Sequence, residues 1–182
     1  PLAEEAREFA WVDLQTQLNQ LALQLDRREK ELGILDTVMV ELQRSEQVQL
    51  SGRPIAKGWL SSAYGNRMDP ITGQPAWHAG VDFAGSQGSD VLAVASGVVV
   101  FADRRDGYGK LVEINHGNGV STRYGHHDKL LVKAGEIVKK GDVIGLMGSS
   151  GRSTGPHVHF EVLRNGRNID PTRFISGNAG GG

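Results

Sequence analysis

The stretch KLVEINHGNGVSTRYGHH, residues 110–127, decides the fold class. Apart from the adjacent Leu111 and Val112, polar and apolar side chains alternate from Lys110 to Asn115, the period of a strand with one buried face. Asn118-Gly119 is a dipeptide suited to a tight hairpin turn, and Val120 to Tyr124 starts the return strand. Upstream, Gly97-Val98-Val99-Val100-Phe101 is a β-branched run behind a glycine. Downstream, residues 136–145 and 157–162 carry further short apolar runs. Short strands separated by glycine turns predict a mainly β domain, an antiparallel sheet or partly open barrel, and not alternating βαβ units.

The chain around that core is uneven. Of 25 glycines in 182 residues only Gly33 precedes residue 51, and all six histidines fall between His78 and His159. Residues 1–50 hold ten acids and five bases, a net −5, against 11 acids and 15 bases afterwards, a net +4. Within residues 11–42 the positions Trp11, Leu14, Leu18, Leu21, Leu25, Arg28, Leu32, Leu35, Met39 and Leu42 follow a four-three spacing, and nine of the ten are apolar. That is a coiled-coil seam, predicting a long N-terminal helix from about Glu4 to Glu46, roughly 65 Å in length. Arg28 and Gly33 mark a weak point near its middle. A lone helix cannot bury its own stripe, so we expect self-association through the coiled coil or a regulatory partner.

Composition also sets limits on function. A net charge of −1 argues against a nucleic-acid binder working through bulk electrostatics. Without cysteine there is neither a disulfide framework nor a thiolate metal site, so a transition-metal site must use His and carboxylates. The chain begins on Pro1, not Met, and a membrane anchor is expected only in sequence upstream of it.

The chemistry-bearing residues cluster in three places. On a strand, His157-Val158-His159-Phe160-Glu161-Val162 puts Val158, Phe160 and Val162 on a core face, leaving His157 and His159 side by side on the other with Glu161. In Trp77 to Phe83 the alternation of Ala79, Val81 and Phe83 predicts one strand with His78 and Asp82 on its opposite face. Together these make a set of His nitrogens and a carboxylate that zinc accepts. Along Val120 to His127 a regular strand puts His126 with Val120, Thr122 and Tyr124, and His127 on the other face. We expect His126 to be the working member, His127 to be solvated, and His116 to be a packed histidine.

HAGVD at 78–82, YGHH at 124–127 and GRSTGPHVHFE at 151–161 resemble the signature segments of the lysostaphin-type (LytM-domain) zinc endopeptidases. The resemblance extends over the β segments between them, from about Ile55 to Ile175. It departs at His127, where that family usually carries an apolar residue. The resemblance implies one zinc ion held by His78, Asp82 and His159. It further implies that His126 and His157 flank the open position, handling the attacking water and stabilising the oxyanion. Peptide bonds in peptidoglycan stem or cross-link peptides are the implied substrate, in the cell envelope, periplasmic or secreted. With the composition and the heptad spacing, the expected division is a coiled-coil arm (1–50), a linker (51–58), a β metallopeptidase domain of the resembling kind (59–176) and a flexible tail (177–182). The rival readings are a non-catalytic module that activates a wall hydrolase through its coiled coil, and a wall-binding domain with a structural metal.

Overall fold

The computed structural model describes residues 15, 17–35 and 50–175. The chain divides into two units, Pro1–Glu46 and Gln47–Gly182. In the first, residues 17–35 form helix α1, which runs through Arg28 and Gly33. Its leucines Leu18, Leu21, Leu25, Leu32 and Leu35 are all exposed, while Asp26–Lys30 closes an exposed ion pair of 2.8 Å. A long coiled-coil helix is therefore not what is described: the described helix is shorter, and Trp11, Leu14, Met39 and Leu42 lie outside the described residues. Among the described residues no helix is long and apolar enough to cross a membrane.

Among the described residues the second unit has twelve strands: β1 (Trp59–Ser62), β2 (Gly65–Met68), β3 (Pro75–His78), β4 (Val81–Ala84), β5 (Asp90–Leu92), β6 (Gly97–Arg105), β7 (Gly109–Gly117), β8 (Val120–Leu130), β9 (Ile137–Val138), β10 (Val143–Met147), β11 (His157–Arg164) and β12 (Arg167–Ile169). A short helix α2 (Thr172–Ile175) follows. Ten strands form one antiparallel sheet in the order β1-β4-β11-β8-β7-β6-β9; β10 joins β8 to β5, and β12 adds to β11. β2 and β3 form a separate two-stranded sheet. Among the described residues no pairing joins β1 to β9, so the large antiparallel sheet is open and not closed.

The turn chemistry read from the sequence is present. Asn118 and Gly119 both adopt positive φ, 50° and 71°, at the β7–β8 hairpin. The predicted core face of β11 is buried, with Val158, Phe160 and Val162 at most 1% exposed, packed with Val81, Phe83, Ile114 and Met147. Within the stretch expected as a linker, Ile55 enters the core and bridges to Val91. His116 is packed as expected: Nδ1 lies 2.8 Å from the Ser96 carbonyl and Nε2 2.7 Å from Thr122 Oγ1. The register that matters most pairs β11 with β4 on one side and β8 on the other. His159 stands opposite Asp82 in β4 and opposite Gly125 in β8.

Candidate metal centre and its flanking histidines

Directly paired residues in an antiparallel ladder project to the same face. Asp82 and His159 therefore meet across the β4–β11 ladder, and His159 Nδ1 lies 2.8 Å from Asp82 Oδ1. His78 arrives differently from the prediction. The single strand expected over 77–83 is broken at Ala79-Gly80, so His78 ends β3 in the small sheet while Asp82 lies in the large one. The break requires glycine: a Cβ at Gly80 would sit 2.4 Å from the Phe160 carbonyl oxygen and 3.0 Å from the His159 ring. That close approach brings His78 Nε2 to 3.1 Å from both Asp82 Oδ1 and His159 Nδ1.

The three groups are buried, 6% to 8% exposed, and their ligand atoms lie within 4.8 Å of one another. Each is also held from behind. His78 Nδ1 donates to the Ala63 carbonyl at 2.7 Å, which leaves a lone pair on Nε2 facing the cluster. His159 Nε2 lies 3.1 Å from Glu161 Oε1, and Arg67 Nη2 donates to Asp82 Oδ2 at 3.4 Å. Burial opposes ionisation of Asp82, but its close contacts with the His159 and His78 rings outweigh it and hold the carboxyl below its usual range. Burial likewise disfavours charge on His159, yet its bonds to Asp82 and Glu161 raise it to about 9. With both rings neutral, lone pairs crowd one small space, an arrangement that is repulsive until a cation or proton occupies it. Two imidazole nitrogens and one carboxylate oxygen are the donor set zinc takes while retaining a free position.

His126 and His157 flank this cluster, with ring centroids 4.6 Å apart. His157 opens β11; its Nδ1 donates to the Gly155 carbonyl at 2.8 Å and its Nε2 lies 3.8 Å from Asp82 Oδ1. His126 reaches the same side because β8 is not regular. Regular alternation would put Arg123, Gly125 and His127 on the site face, since Gly125 and Arg123 pair with His159 and Glu161. Instead an extra residue in β8 shifts its pairing with β7 between Val112↔Tyr124 and Lys110↔His127, and His126 takes a φ of 64°. This β-bulge exchanges the faces of the two histidines. His126 Nδ1 donates to the Ser150 carbonyl at 2.7 Å, so its Nε2 carries the free lone pair. Burial is the main cause that lowers its pKa to about 4.

His127 corrects the expectation of a solvated side chain: it is fully buried. Its Nδ1 lies 3.2 Å from the Lys110 carbonyl, and its Nε2 is the one buried side-chain polar atom among the described residues without a partner. The ring packs on Gly145, where a Cβ would come within 2.2 Å of His127 Cδ2.

Sequence reasoning missed the support behind the cluster. Glu161 is fully buried; it accepts from the Tyr108 hydroxyl at 2.9 Å and from Arg123 at 3.4 Å, besides meeting His159. A glutamate on a strand's polar face beside HxH was the available signal. Tyr108 and Arg67 carried none, because they come from other strands and loops. The cluster lies in a cleft of about 300 Å³. A second hollow of about 470 Å³, bordered by Trp59, Ser61 and Pro156, shares Asp82, Thr154 and His157 with the first.

The profile of peptidase family M23 matches residues 76–171, more than half of the 182-residue chain. The DD-carboxypeptidase/endopeptidase Mpg of Neisseria meningitidis is 45% identical over 118 residues, covering 65% of this chain and 27% of that protein. The peptidoglycan DD-endopeptidase ShyA of Vibrio cholerae is 42% identical over 119 residues, covering 64% and 28%. The chain thus spans about a quarter of the length of these curated relatives. Among solved structures, a zinc-containing peptidase from Vibrio cholerae superposes with a TM-score of 0.62 at 39% identity, covering 66% of this chain and 38% of the other. The catalytic domain of lysostaphin from Staphylococcus simulans superposes with a TM-score of 0.60 at 34% identity, covering 66% and 93%.

Proposed function

Because the chain belongs to peptidase family M23, we propose that it is a zinc-dependent endopeptidase of the bacterial cell envelope. Its substrates are peptide bonds in peptidoglycan stem and cross-link peptides, with a D,D-cross-link as the bond cleaved. In this reading His78, Asp82 and His159 hold one zinc ion, and His126 and His157 are the catalytic histidines. The observation that carries it is the pair of imidazoles beside the three-donor cluster, each tied by Nδ1 to a backbone carbonyl so that Nε2 faces the same space.

Zinc in that cluster supplies a Lewis acid that acidifies water and polarises a carbonyl. The chain's own residues do the rest. His126, kept neutral at pH 7 by burial, accepts the proton of the attacking water at Nε2. His157 Nε2 faces the developing oxyanion and donates to it when protonated. The proton taken from water then passes to the departing amine, closing the balance of the hydrolysis. Two hollows that both border His157 and Asp82 give room for a peptide extending beyond the scissile bond, which supports an endopeptidase. DD-endopeptidase is also the activity named for ShyA and included in the name of Mpg.

A module that only activates a partner hydrolase has no need of two oriented imidazoles beside three donors. The N-terminal residues 1–50 are proposed as an arm that self-associates or meets a regulatory partner. Replacing His126 or His157 by Ala is expected to slow cleavage of cross-linked muropeptides by a factor on the order of 10²–10⁴ while bound zinc is retained. Full activity in either variant removes that histidine from the mechanism. Zinc-loaded wild-type protein that digests nothing would move the weight to the activator reading.

A further inference from the structure

Two loops at the cleft are tied to each other by a single ion pair. Asp69 opens the turn between β2 and β3, and Arg152 lies in the loop between β10 and β11. The Arg152 guanidinium pairs with Asp69 Oδ2, and both residues line the cleft that contains His78, His126 and His157. The partners are held very differently. Asp69 Oδ1 accepts the backbone N–H groups of Ile71 at 2.8 Å and Thr72 at 3.0 Å, and the side chain is 13% exposed. Those two bonds are the main cause holding its carboxyl below the usual range, with Arg152 adding to them, so Asp69 is tied to its own turn by contacts that do not involve Arg152. The Arg152 side chain is 53% exposed, and its backbone N–H is anchored to the Gly107 carbonyl at 2.9 Å. Among the described residues its guanidinium has no second acid. A half-exposed pair of this kind contributes little net stability and exchanges readily.

A guanidinium offers a planar fork of donors matched to a carboxylate. We propose that Arg152 determines substrate choice: it releases Asp69 and takes a free carboxylate on the peptide lying in the cleft. Asp69 is the internal competitor that occupies Arg152 until such a peptide arrives. The inference rests on the endopeptidase reading above and adds a ligand class to it, peptides carrying a free carboxylate near the scissile bond.

The test uses the full zinc-loaded chain and two soluble cross-linked stem-peptide dimers, one with free carboxylates and one with those carboxylates amidated. The wild type is expected to favour the free-carboxylate dimer through KM. Arg152→Gln raises that KM by roughly tenfold, leaves kcat in place and abolishes the preference. Asp69→Asn keeps the Oδ1 acceptor and removes the competitor, so KM for the same dimer falls several-fold. The two partners of one ion pair thus act in opposite directions. If both variants worsen both dimers alike, or if amidation is without effect on the wild type, the pair is only a tie between loops and the proposal fails. If the wild type cleaves neither dimer, the endopeptidase reading fails separately. Calorimetric binding of the two dimers to wild type and Arg152→Gln then decides: a carboxylate preference lost in the variant supports the assignment, and equal affinities overturn it.

Discussion

Glu161 is the side chain on which the proposed zinc ligand His159 rests. A carboxylate against the far nitrogen of a metal-binding imidazole fixes its tautomer and raises its basicity. Here that carboxylate is itself held by Tyr108 and Arg123. Glu161→Gln is expected to weaken zinc binding by about 10- to 100-fold in competition with a chromophoric chelator. An unchanged affinity would make Glu161 a packing residue only. His127 makes a second prediction at this scale. Burial is the main cause lowering its pKa from 6.5 to about 4. The unfolded chain therefore binds more protons than the folded one between these values, and stability falls as pH drops through that window. The penalty saturates near ~3 kcal/mol below pH 4. His127→Leu, which supplies the apolar side chain usual in the resembling family, should leave stability at pH 7 within about 1 kcal/mol. It should also flatten the decline between pH 6.5 and 4, read from urea midpoints. His126 titrates in the same window and keeps part of the slope, and a variant with the same pH slope as the wild type would show that His127 does not contribute to it.

At the scale of elements, strands with one buried face announced themselves, because period-two alternation and Asn-Gly chemistry are local properties. β7, β8 and the core face of β11 were legible for that reason. Two local irregularities that build the site were not. The break at Ala79-Gly80 and the bulge at His126 each depend on a neighbouring strand: the first on the Phe160 carbonyl, the second on the register with β7. A strand rule applied without the bulge assigns His126 to the core face and His127 to the site, the reverse of what forms. The sequence reading favours His126 because it shares the more apolar face of residues 120–126, yet without the bulge that face is turned away from His159. The arm is an element whose pattern predicts a partner, and its leucines in 17–35 are exposed. Light scattering of the full chain should give a self-associated species that a chain starting at residue 51 lacks. Identical monomeric masses for both would leave the arm a spacer or a site for a different partner.

For the molecule as a whole, near-zero net charge is the sum of unlike halves and said little about function. The absence of cysteine said more, since it required any transition-metal site to use imidazole and carboxylate. His78, Asp82 and His159 meet across two sheets, at separations of 4 and 77 residues, with His126 and His157 beside them. Motifs identified these residues; only the fold supplies the carbonyls, Arg67, Tyr108 and Glu161 that orient them. The central claim is that this constellation is a zinc peptidase acting on peptidoglycan. Its most direct test is release of soluble muropeptides from purified cross-linked peptidoglycan, followed with one equivalent of zinc, with excess chelator, and with His159→Ala. The account predicts cleavage with zinc, loss with chelator, recovery when zinc is restored, and none in the variant. Digestion that survives the chelator, or full activity in His159→Ala, would contradict it.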